Sequence, residues 1–256
     1  MVDSELEFVS GVFALTPAES KRLIAKGIAS LSVVQNAYKN GRLVITHGST
    51  TAYVAEEVLG KTVSKYGFCA GLVIDGELSV LPREERMKAF ITKHGKIVDM
   101  SLSDILKEFE LNDVLIKSGN AIDVEGNVGV LLASDVGGTI GSVLGTITAR
   151  GSHLIMPVGM EKLIPSVIDA SLAAGQQKFK YYRGYKVGLM PVVNAEVITE
   201  IEAIKYLTGA DAVHIASGGI GGSEGAVTLV VWGTDEEVSD TFALVEKLKG
   251  EPPATR

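Results

Sequence analysis

The residues best suited to chemistry are His-Gly-Ser-Thr-Thr at positions 47–51, between a short apolar run and a segment with helical spacing. Residues 42–46 have the pattern of a buried strand, and residues 52–59 that of a helix. The first amide groups of a helix lack partners within it, and the helix dipole favours negative charge there. The predicted contacts to a phosphate or carboxylate are Gly48, Ser49, Thr50 and Thr51, and simple capping of the helix is the open alternative.

A lysine ends a second predicted strand, at residues 113–117, and Ser-Gly-Asn follows it. An unpaired ammonium group at the end of a buried strand is costly. We therefore expect Lys117 to meet either an acidic side chain, such as Asp123 or Asp135, or an anionic ligand, and we favour the ligand. The same loop is predicted to contribute further ligand contacts from Ser118, Gly119 and Asn120.

Two carboxylates are candidates for a general base, Asp123 and Glu161. Together with Lys117 they make up the predicted catalytic residues. Asp123 has a structural alternative, because it precedes Glu-Gly-Asn and could simply form a turn.

A second junction of strand and helix is predicted where residues 127–133 lead into Ser-Asp-Val-Gly-Gly-Thr and then a helix at residues 140–149. It could hold a phosphate in the same way as the first junction, or its glycines could let the helix approach the sheet closely. The predicted ligand contacts in this loop are Asp135, Gly137, Gly138 and Thr139.

The bulk composition excludes several classes of protein. The chain has 256 residues, a net charge of −7 and one cysteine, Cys69. An acidic chain argues against general binding to nucleic acid or to membrane surfaces, and one cysteine excludes an internal disulfide framework. The amino-terminal segment lacks the basic region of a signal peptide, and no apolar run reaches the ~18 residues of a membrane helix. We therefore predict a cytoplasmic protein.

Familiar catalytic and cofactor motifs are missing. Gly-Lys-Thr at residues 60–62 resembles the end of a P-loop, but it follows a helix, and Ala55 stands in place of the first glycine. The chain has no dinucleotide-binding glycine motif and no nucleophile elbow. The histidines are isolated and lack metal-ligand spacing: His47, His94, His153 and His214. No cofactor and no metal ion is predicted.

Strands, polar loops and helices alternate along the chain, which predicts an α/β protein with a doubly wound, mainly parallel sheet and a small C-terminal α+β portion. In such sheets ligands bind at the carboxyl ends of strands, where the polar loops lie. The further predicted elements are one long helix at residues 16–40, a buried strand at 68–74, an exposed helix at 82–94, a short strand at 96–99, helices at 101–110, 161–174 and 195–207, strands at 153–156, 187–193, 212–216 and 227–232, and a last helix at 234–249.

Composition also predicts the domain organisation. Residues 1–180 are expected to form a Rossmann-like domain with the anion-binding loops, residues 181–250 a smaller α+β subdomain, and residues 251–256 a frayed tail. The basic and aromatic segment 176–183 marks a boundary or an edge strand. The glycine-rich segment 217–225 is either a mobile lid or a hairpin connection, and the hairpin is favoured.

The segment ITHGSTTAYVAEEVL, residues 45–59, resembles the first phosphate-binding loop of ribose-5-phosphate isomerases, in which Gly-Ser-Thr opens a helix after a buried strand. LIKSGNA, residues 115–121, is similar to a second loop of these enzymes. Their superfamily also contains glucosamine-6-phosphate deaminases, coenzyme A transferases and folate cyclo-ligases. The resemblance implies an anion-binding role for residues 48–51 and for Lys117. The acidic Asp-Gly-Ala-Asp motif of the isomerases is absent, so only the binding role is carried over.

Two classes of function follow from these observations. An enzyme would act on a small phosphorylated or carboxylated metabolite, such as a sugar phosphate, by isomerase- or deaminase-like acid–base chemistry. A transferase dependent on coenzyme A or a nucleotide is a variant that needs a longer groove. A non-catalytic sensor or binding module would use the same loops without a carboxylate placed to move a proton. Either protein could form a homo-oligomer.

Overall fold

The computed structural model describes residues 8–255, which form fourteen strands and eight α-helices. The strands are β1 (Val9–Leu15), β2 (Arg42–Ile45), β3 (Gly71–Ile74), β4 (Glu77–Val80), β5 (Phe90–Lys93), β6 (Lys96–Ile97), β7 (Val114–Ile116), β8 (Ala121–Ile122), β9 (Val128–Leu132), β10 (His153–Pro157), β11 (Gly188–Val192), β12 (Glu196–Ile198), β13 (Asp211–Ser217) and β14 (Val227–Gly233). The helices are α1 (Pro17–Ser30), α2 (Ser32–Asn40), α3 (Ser49–Leu59), α4 (Leu102–Lys107), α5 (Gly138–Arg150), α6 (Val167–Ala173), α7 (Glu200–Thr208) and α8 (Asp235–Leu248).

The central sheet has six strands in the order β12-β10-β7-β2-β5-β6. The first four strands run parallel, and β5 and β6 continue the sheet in antiparallel pairing. The predicted α/β class is therefore confirmed as a mixed α/β fold. The doubly wound, mainly parallel sheet is not confirmed, because β5 returns beside β2 in the antiparallel direction.

Both faces of the central sheet are covered, because successive side chains of a strand point to opposite faces. Leu43 and Ile45 of β2 belong to one core cluster, which includes residues of α1, α3 and α7. Val44 belongs to a second cluster, with residues of α4, α5 and β9. Strands buried on both faces are continuously apolar, which explains why β2 and β7 were recognisable from sequence.

Three smaller sheets surround the central one. Their strand orders are β1-β14-β13, β11-β9-β8 and β3-β4. β14 pairs antiparallel with β1, β11 pairs with β9, and β12 joins the central sheet beside β10. In three of the four sheets, therefore, a strand that precedes residue 180 pairs with a strand that follows it.

Many of the predicted elements are confirmed to within a few residues. Among them are β2, β7, β9, β10, β11, β13 and β14, together with helices α3, α4, α5 and α8. The predicted start of α1 is also confirmed, because Thr16 and Glu19 form a reciprocal capping box.

The exposed helix predicted for residues 82–94 was wrong. A single 3-10 turn, Arg83–Glu85, is followed by β5, which pairs antiparallel with β2. The charged residues of the turn dominated the prediction, whereas the pairing of Phe90 with Ile45 is set by a distant strand. Non-local pairing of this kind leaves little trace in a local charge pattern.

The buried strand predicted for residues 68–74 was also wrong. Its second half is β3, which forms a separate two-stranded hairpin with β4 and alternates between exposed and half-buried residues. Asp75 and Gly76 both have positive φ, 52° and 75°, as a tight two-residue hairpin turn requires. Only Phe68 and Cys69 of the predicted strand are buried.

Two of the long predicted helices are broken. Residues 16–40 form two helices, since Leu31 is extended, with ψ 126°, and both ends α1 and begins α2. Residues 161–174 begin as a 3-10 turn, Met160–Lys162, and only α6 is α-helical. Pro165 lies between the two segments, where its ring prevents a continuous helix.

The helix predicted for residues 195–207 begins later, because Glu196–Ile198 is β12 and the capping box of Thr199 opens α7. Residues 176–183 contain a 3-10 turn, Gln176–Lys178, and no strand. The glycine-rich segment 217–225 connects the antiparallel strands β13 and β14, as the favoured hairpin interpretation predicted.

The carboxyl-terminal segment is anchored at its start, although it was predicted to fray. Glu251 pairs with Arg22 at 2.8 Å, and the hydroxyl of Tyr53 donates to the carbonyl oxygen of Pro252 at 3.1 Å. The prediction about the amino-terminal segment falls mainly on residues 1–7, outside the described residues. Within residues 8–255, no helix is both long enough and apolar enough to cross a membrane.

Candidate functional site

The carboxyl ends of the four parallel strands meet at one edge of the central sheet. Lys117 donates its amide to the carbonyl oxygen of Ile155 at 3.0 Å, and Val158 donates to Ile198 at 3.1 Å. A Cβ atom on Gly48 would overlap the hydroxyl of Ser118, so the loops after β2 and β7 touch. We refer to the four strand-end loops, residues 46–51, 117–120, 158–162 and 199–200, as the carboxyl-edge site.

The loop after β2 presents the amino end of α3 to this site. The hydroxyl of Thr51 donates to the carbonyl oxygens of Thr46 and Gly48, at 2.6 and 3.0 Å, so it holds the loop from inside. Thr50 is fully buried, and its Oγ1 has no hydrogen-bond partner among the described residues. Ser49 is half-buried. Ala52 donates its amide to the carbonyl oxygen of Gly48 at 3.0 Å, whereas no acceptor within residues 8–255 is found for the amides of Ser49, Thr50 and Thr51. These three amides are donors that the turn offers to a ligand.

Lys117 leaves the end of β7 and enters the same space. Its side chain is half-buried, and no hydrogen bond or ion pair of its ammonium group is found within residues 8–255. Burial and, to a smaller extent, the positive charge of Lys162 together lower the pKa of Lys117 to about 8. Of the two partners expected from sequence, an acid or an anionic ligand, the acid is therefore missing from the described chain.

Lys162 brings a second ammonium group to the loop that follows β7. Its Nζ donates to the carbonyl oxygen of Gly119 at 3.0 Å. Burial lowers the pKa of Lys162, while the carboxyl groups of Glu161 and Glu200 act in the opposite direction. A Cβ on Gly119 would overlap the side chain of Val128, so the close packing of this loop against β9 requires glycine.

Glu161, one of the predicted bases, lies in the site and pairs with a lysine of α1. The distance from Lys21 Nζ to Glu161 Oε1 is 3.5 Å, and each side chain is 17% exposed. A Cβ on Gly225 would lie 3.0 Å from Glu161 Oε2, so the end of the β13–β14 hairpin touches the same carboxylate. The predicted base is thus accessible at the rim of the site and already paired.

Glu200 is a buried carboxyl group whose charge acts on Lys162. It is 0% exposed, its Oε1 is hydrogen-bonded to the hydroxyl of Ser20, and Met160 donates its amide to Oε2 at 2.9 Å. Burial raises the pKa of Glu200, and the Ser20 and Met160 hydrogen bonds oppose this effect. The group therefore tends to keep its proton at higher pH than an ordinary glutamate.

His47 lies in the loop after β2, and its Nε2 is 2.8 Å from the carbonyl oxygen of Met87. A carbonyl oxygen can only accept, so we assign the ring proton to Nε2, which leaves Nδ1 as an acceptor. Burial lowers the pKa of His47 and favours this neutral ring. Cys69 is buried nearby, and burial raises the pKa of its thiol, which disfavours a reactive thiolate.

Two predicted site residues have structural roles. The carboxylate of Asp123 accepts from the amide of Asn127 at 2.8 Å, from its side chain at 3.1 Å, and from the amide of Val167 at 2.9 Å. These bonds lower the pKa of Asp123 against the effect of its burial and match the turn alternative. Asn120 uses its Oδ1 to accept from the amide of Leu131, at 3.0 Å.

The loop containing Asp135, Gly137, Gly138 and Thr139 also leads into a helix, but β9 before it belongs to a different sheet. The end of β9 therefore does not belong to the row of parallel strand ends that forms the carboxyl-edge site. Gly137 and Gly138 have φ angles of 80° and 55°, so they form a left-handed turn into α5. The ligand role predicted for these four residues has no support from the sheet topology.

The opposite, amino-terminal edge of the sheet holds a cavity of about 390 Å³. Arg42 and Asp113 line it and pair with each other at 3.1 Å. Glu108 and Glu110 lie 3.4 and 3.8 Å from the same guanidinium. The positive charge of Arg42 is thus paired within the chain, and we refer to these four residues as the amino-edge cluster.

Within residues 8–255, no group of three or more histidine, cysteine, aspartate or glutamate side chains is placed to hold a metal ion. Comparison of the chain with protein-family models, with curated proteins and with solved structures found no match. The resemblance to the isomerase and transferase superfamily therefore stays a prediction.

The sequence analysis missed Lys21, Lys162 and Glu200. A usable signal existed for Lys162, because it follows the predicted strand at residues 153–156 by a few positions, as Lys117 follows its own strand. The long helix predicted from residue 161 hid that loop. Glu200 and Lys21 carry no local signal, since they reach the site through the packing of α7 against α1.

Proposed function

We propose that the protein is an enzyme that binds a small phosphorylated or carboxylated metabolite at the carboxyl-edge site and acts on it by acid–base chemistry. One observation carries this proposal: the ammonium group of Lys117 lies beside a second lysine and has no partner among the described residues. A buried, unpaired charge is costly, and an anionic ligand removes that cost.

The surroundings of Lys117 support an anion of more than one negative charge. Lys162 adds a second positive charge. The first turn of helix α3, with its amides, begins beside Ser118, the residue that follows Lys117. The unsatisfied hydroxyl of Thr50 belongs to the same turn. A phosphate monoester has the charge and the several acceptor oxygens that suit these donors.

Glu161 and Glu200 are the carboxyl groups that could move a proton in this site, since both act on Lys162. Asp123 is less suited, because its carboxylate already accepts three hydrogen bonds. The alternative function, a non-catalytic binding module, is favoured by the pairing of Glu161 with Lys21, which leaves no free carboxylate at the rim within the described residues.

A thermal-shift screen tests the anion site. The purified protein is heated with inorganic phosphate, sugar phosphates, small carboxylates, coenzyme A esters, nucleotides and folates. A ligand that binds only the folded protein at 100 times its Kd stabilises it by about 2.7 kcal/mol, which raises the melting temperature. We expect phosphorylated compounds to raise it, and Lys117→Met and Lys162→Met to abolish the shift.

Lys107→Met is the matched control, because Lys107 is 74% exposed and pairs with Asp104 on the surface. Its melting temperature should respond to the same compounds as the unmodified protein. Failure of every anion to shift the melting temperature would make residues 48–51 an ordinary helix start. If the protein chemically converts a compound that raises its melting temperature, and Glu161→Gln loses that conversion, the protein is an enzyme and not a non-catalytic binding module.

A further inference from the structure

Lys117 differs from the other lysines near the site in having nothing that holds its proton. Lys162 donates to a carbonyl oxygen and has Glu161 and Glu200 nearby, and Lys21 pairs with Glu161. No acceptor and no carboxylate opposes the loss of the Lys117 proton within residues 8–255.

The position of Lys117 also suits attack on a bound molecule. Its side chain is half-buried and extends from the residue directly after β7, where the sheet fixes the backbone through the hydrogen bond to Ile155. A desolvated lysine beside a second cation is the arrangement that converts an ammonium group into a neutral, nucleophilic amine near neutral pH.

We propose that Lys117 is a nucleophile that forms an imine with an aldehyde or ketone carbon of an anionic substrate. The charged group of that substrate is held by Lys162 and the first turn of α3. This inference rests on the proposed function, and it names the substrate class as phosphorylated or carboxylated carbonyl compounds.

Imine formation begins when the neutral amine of Lys117 adds through its nitrogen lone pair to the carbonyl carbon, and the π electrons of the carbonyl bond move to its oxygen. One proton then passes from the nitrogen to that oxygen, which becomes a hydroxyl group. Loss of that hydroxyl with one proton, as water, leaves a carbon–nitrogen double bond. A proton that the imine nitrogen takes up from water gives the iminium ion, which withdraws electrons from the neighbouring carbon and promotes the removal of its proton. Addition of water reverses these steps and releases the amine.

Reductive trapping with pyridoxal 5′-phosphate tests this proposal, because the probe has both an aldehyde and a phosphate group. Sodium borohydride reduces an imine irreversibly to a secondary amine, and peptide mass spectrometry locates the adduct. We expect one adduct per chain, on Lys117, and its loss in Lys117→Met. Lys107→Met, altered at an exposed lysine, should give the same adduct as the unmodified protein.

Pyridoxal without the phosphate is the matched probe. A charge-assisted hydrogen bond to the phosphate is worth about tenfold in binding or more, so pyridoxal should label Lys117 at least about tenfold less at the same concentration. Excess inorganic phosphate should protect Lys117 against pyridoxal 5′-phosphate. Lys162→Met should reduce the difference between the two probes without moving the adduct to another residue.

The outcomes separate the two proposals. If phosphorylated compounds raise the melting temperature through Lys117 but no adduct is trapped on it, the anion site stands and the imine is overturned. An adduct on Lys162, or one spread over exposed lysines and unaffected by phosphate, likewise overturns it. If Lys117 is trapped equally by both probes and phosphate gives no protection, the amine is reactive, and the anionic substrate class, with the proposed function, is wrong.

Discussion

The two edges of the central sheet treat positive charge in opposite ways. At the amino edge, the guanidinium of Arg42 is surrounded by Asp113, Glu108 and Glu110, and these carboxylates raise the pKa of Arg42 against the effect of its burial. At the carboxyl edge, Lys117 has no such partner, and burial lowers its pKa to about 8. The first arrangement stabilises the fold, whereas the second has a cost that a ligand can remove.

The same strand, β2, reaches both edges, and a glycine precedes or follows it at each. Gly41 lies against the carboxylate of Asp113, where a Cβ would be 2.7 Å from Oδ1. Gly48 lies against the hydroxyl of Ser118. Close packing alone therefore does not mark a functional site. The difference lies in whether the charged groups find partners within the chain.

The largest expected effect is at the amino edge. Asp113→Ala leaves the half-buried guanidinium of Arg42 without its 3.1 Å partner and removes the acceptor for the amides of Arg42 and Glu110. Loss of one partner of a buried ion pair costs about 3–5 kcal/mol, and we expect that decrease in the free energy of unfolding by urea denaturation. Asp99→Asn, in an exposed pair with Lys88, is the control and should leave stability unchanged.

The corresponding change at the carboxyl edge should increase the free energy of unfolding. Lys117→Met removes a buried charge and keeps a long side chain, so we expect the free energy of unfolding to rise by about 1–3 kcal/mol near neutral pH. Urea denaturation measures this change, and a thermal-shift assay with phosphate should show that anion binding is lost. A fall in stability would mean that Lys117 has a partner within the folded protein.

The two glycines beside β2 provide a sharper version of the same comparison. Gly48→Ala and Gly41→Ala each introduce a methyl group against a packed neighbour, and each should destabilise the protein by about 1–3 kcal/mol. Only Gly48→Ala should weaken the thermal shift by phosphate, because only that loop faces the ligand.

Gly145→Ala is the control for both glycine variants. Gly145 is in helix α5, and a Cβ placed there would meet nothing within 4 Å among residues 8–255 apart from its chain neighbours and the backbone of the helix itself. Alanine should therefore stabilise the protein by about 0.5–1 kcal/mol through its better helix propensity. Equal loss of phosphate binding in Gly41→Ala and Gly48→Ala would contradict the assignment of the site to the carboxyl edge.

The last prediction is a dependence on pH. The folded pKa of Lys117, about 8, lies below the ordinary 10.5, so the unfolded chain binds more protons between these values. The free energy of unfolding of the unmodified protein therefore rises with pH across this window. The amount by which the free energy of unfolding of Lys117→Met exceeds it should shrink accordingly. Urea denaturation of both proteins at several pH values measures the difference. A constant difference from below pH 8 to above pH 10.5 would contradict the lowered pKa of Lys117.

Part of the candidate site was predictable from the sequence, because its signals are local. The apolar run, the Gly-Ser-Thr-Thr break and the helix of residues 42–59 predicted the loop after β2, and Lys117 was recognisable at its strand end. Lys162 was missed because apolar spacing after residue 161 imitates a continuous helix. The loop at Asp135 was included because its motif resembles the first junction, although its strand belongs to another sheet.

The sequence by itself determined where several buried strands end, which residues open α1 and α3, and that a lysine follows one of the buried strands. These features depend on neighbours within a few positions, such as the capping box of Thr16 and Glu19. Only the tertiary structure decided which strand ends lie side by side and which charged groups find partners. Burial and ion pairing depend on residues far apart in the chain, as Lys162 and Gly119 are, so no local pattern distinguishes the paired Arg42 from the unpaired Lys117.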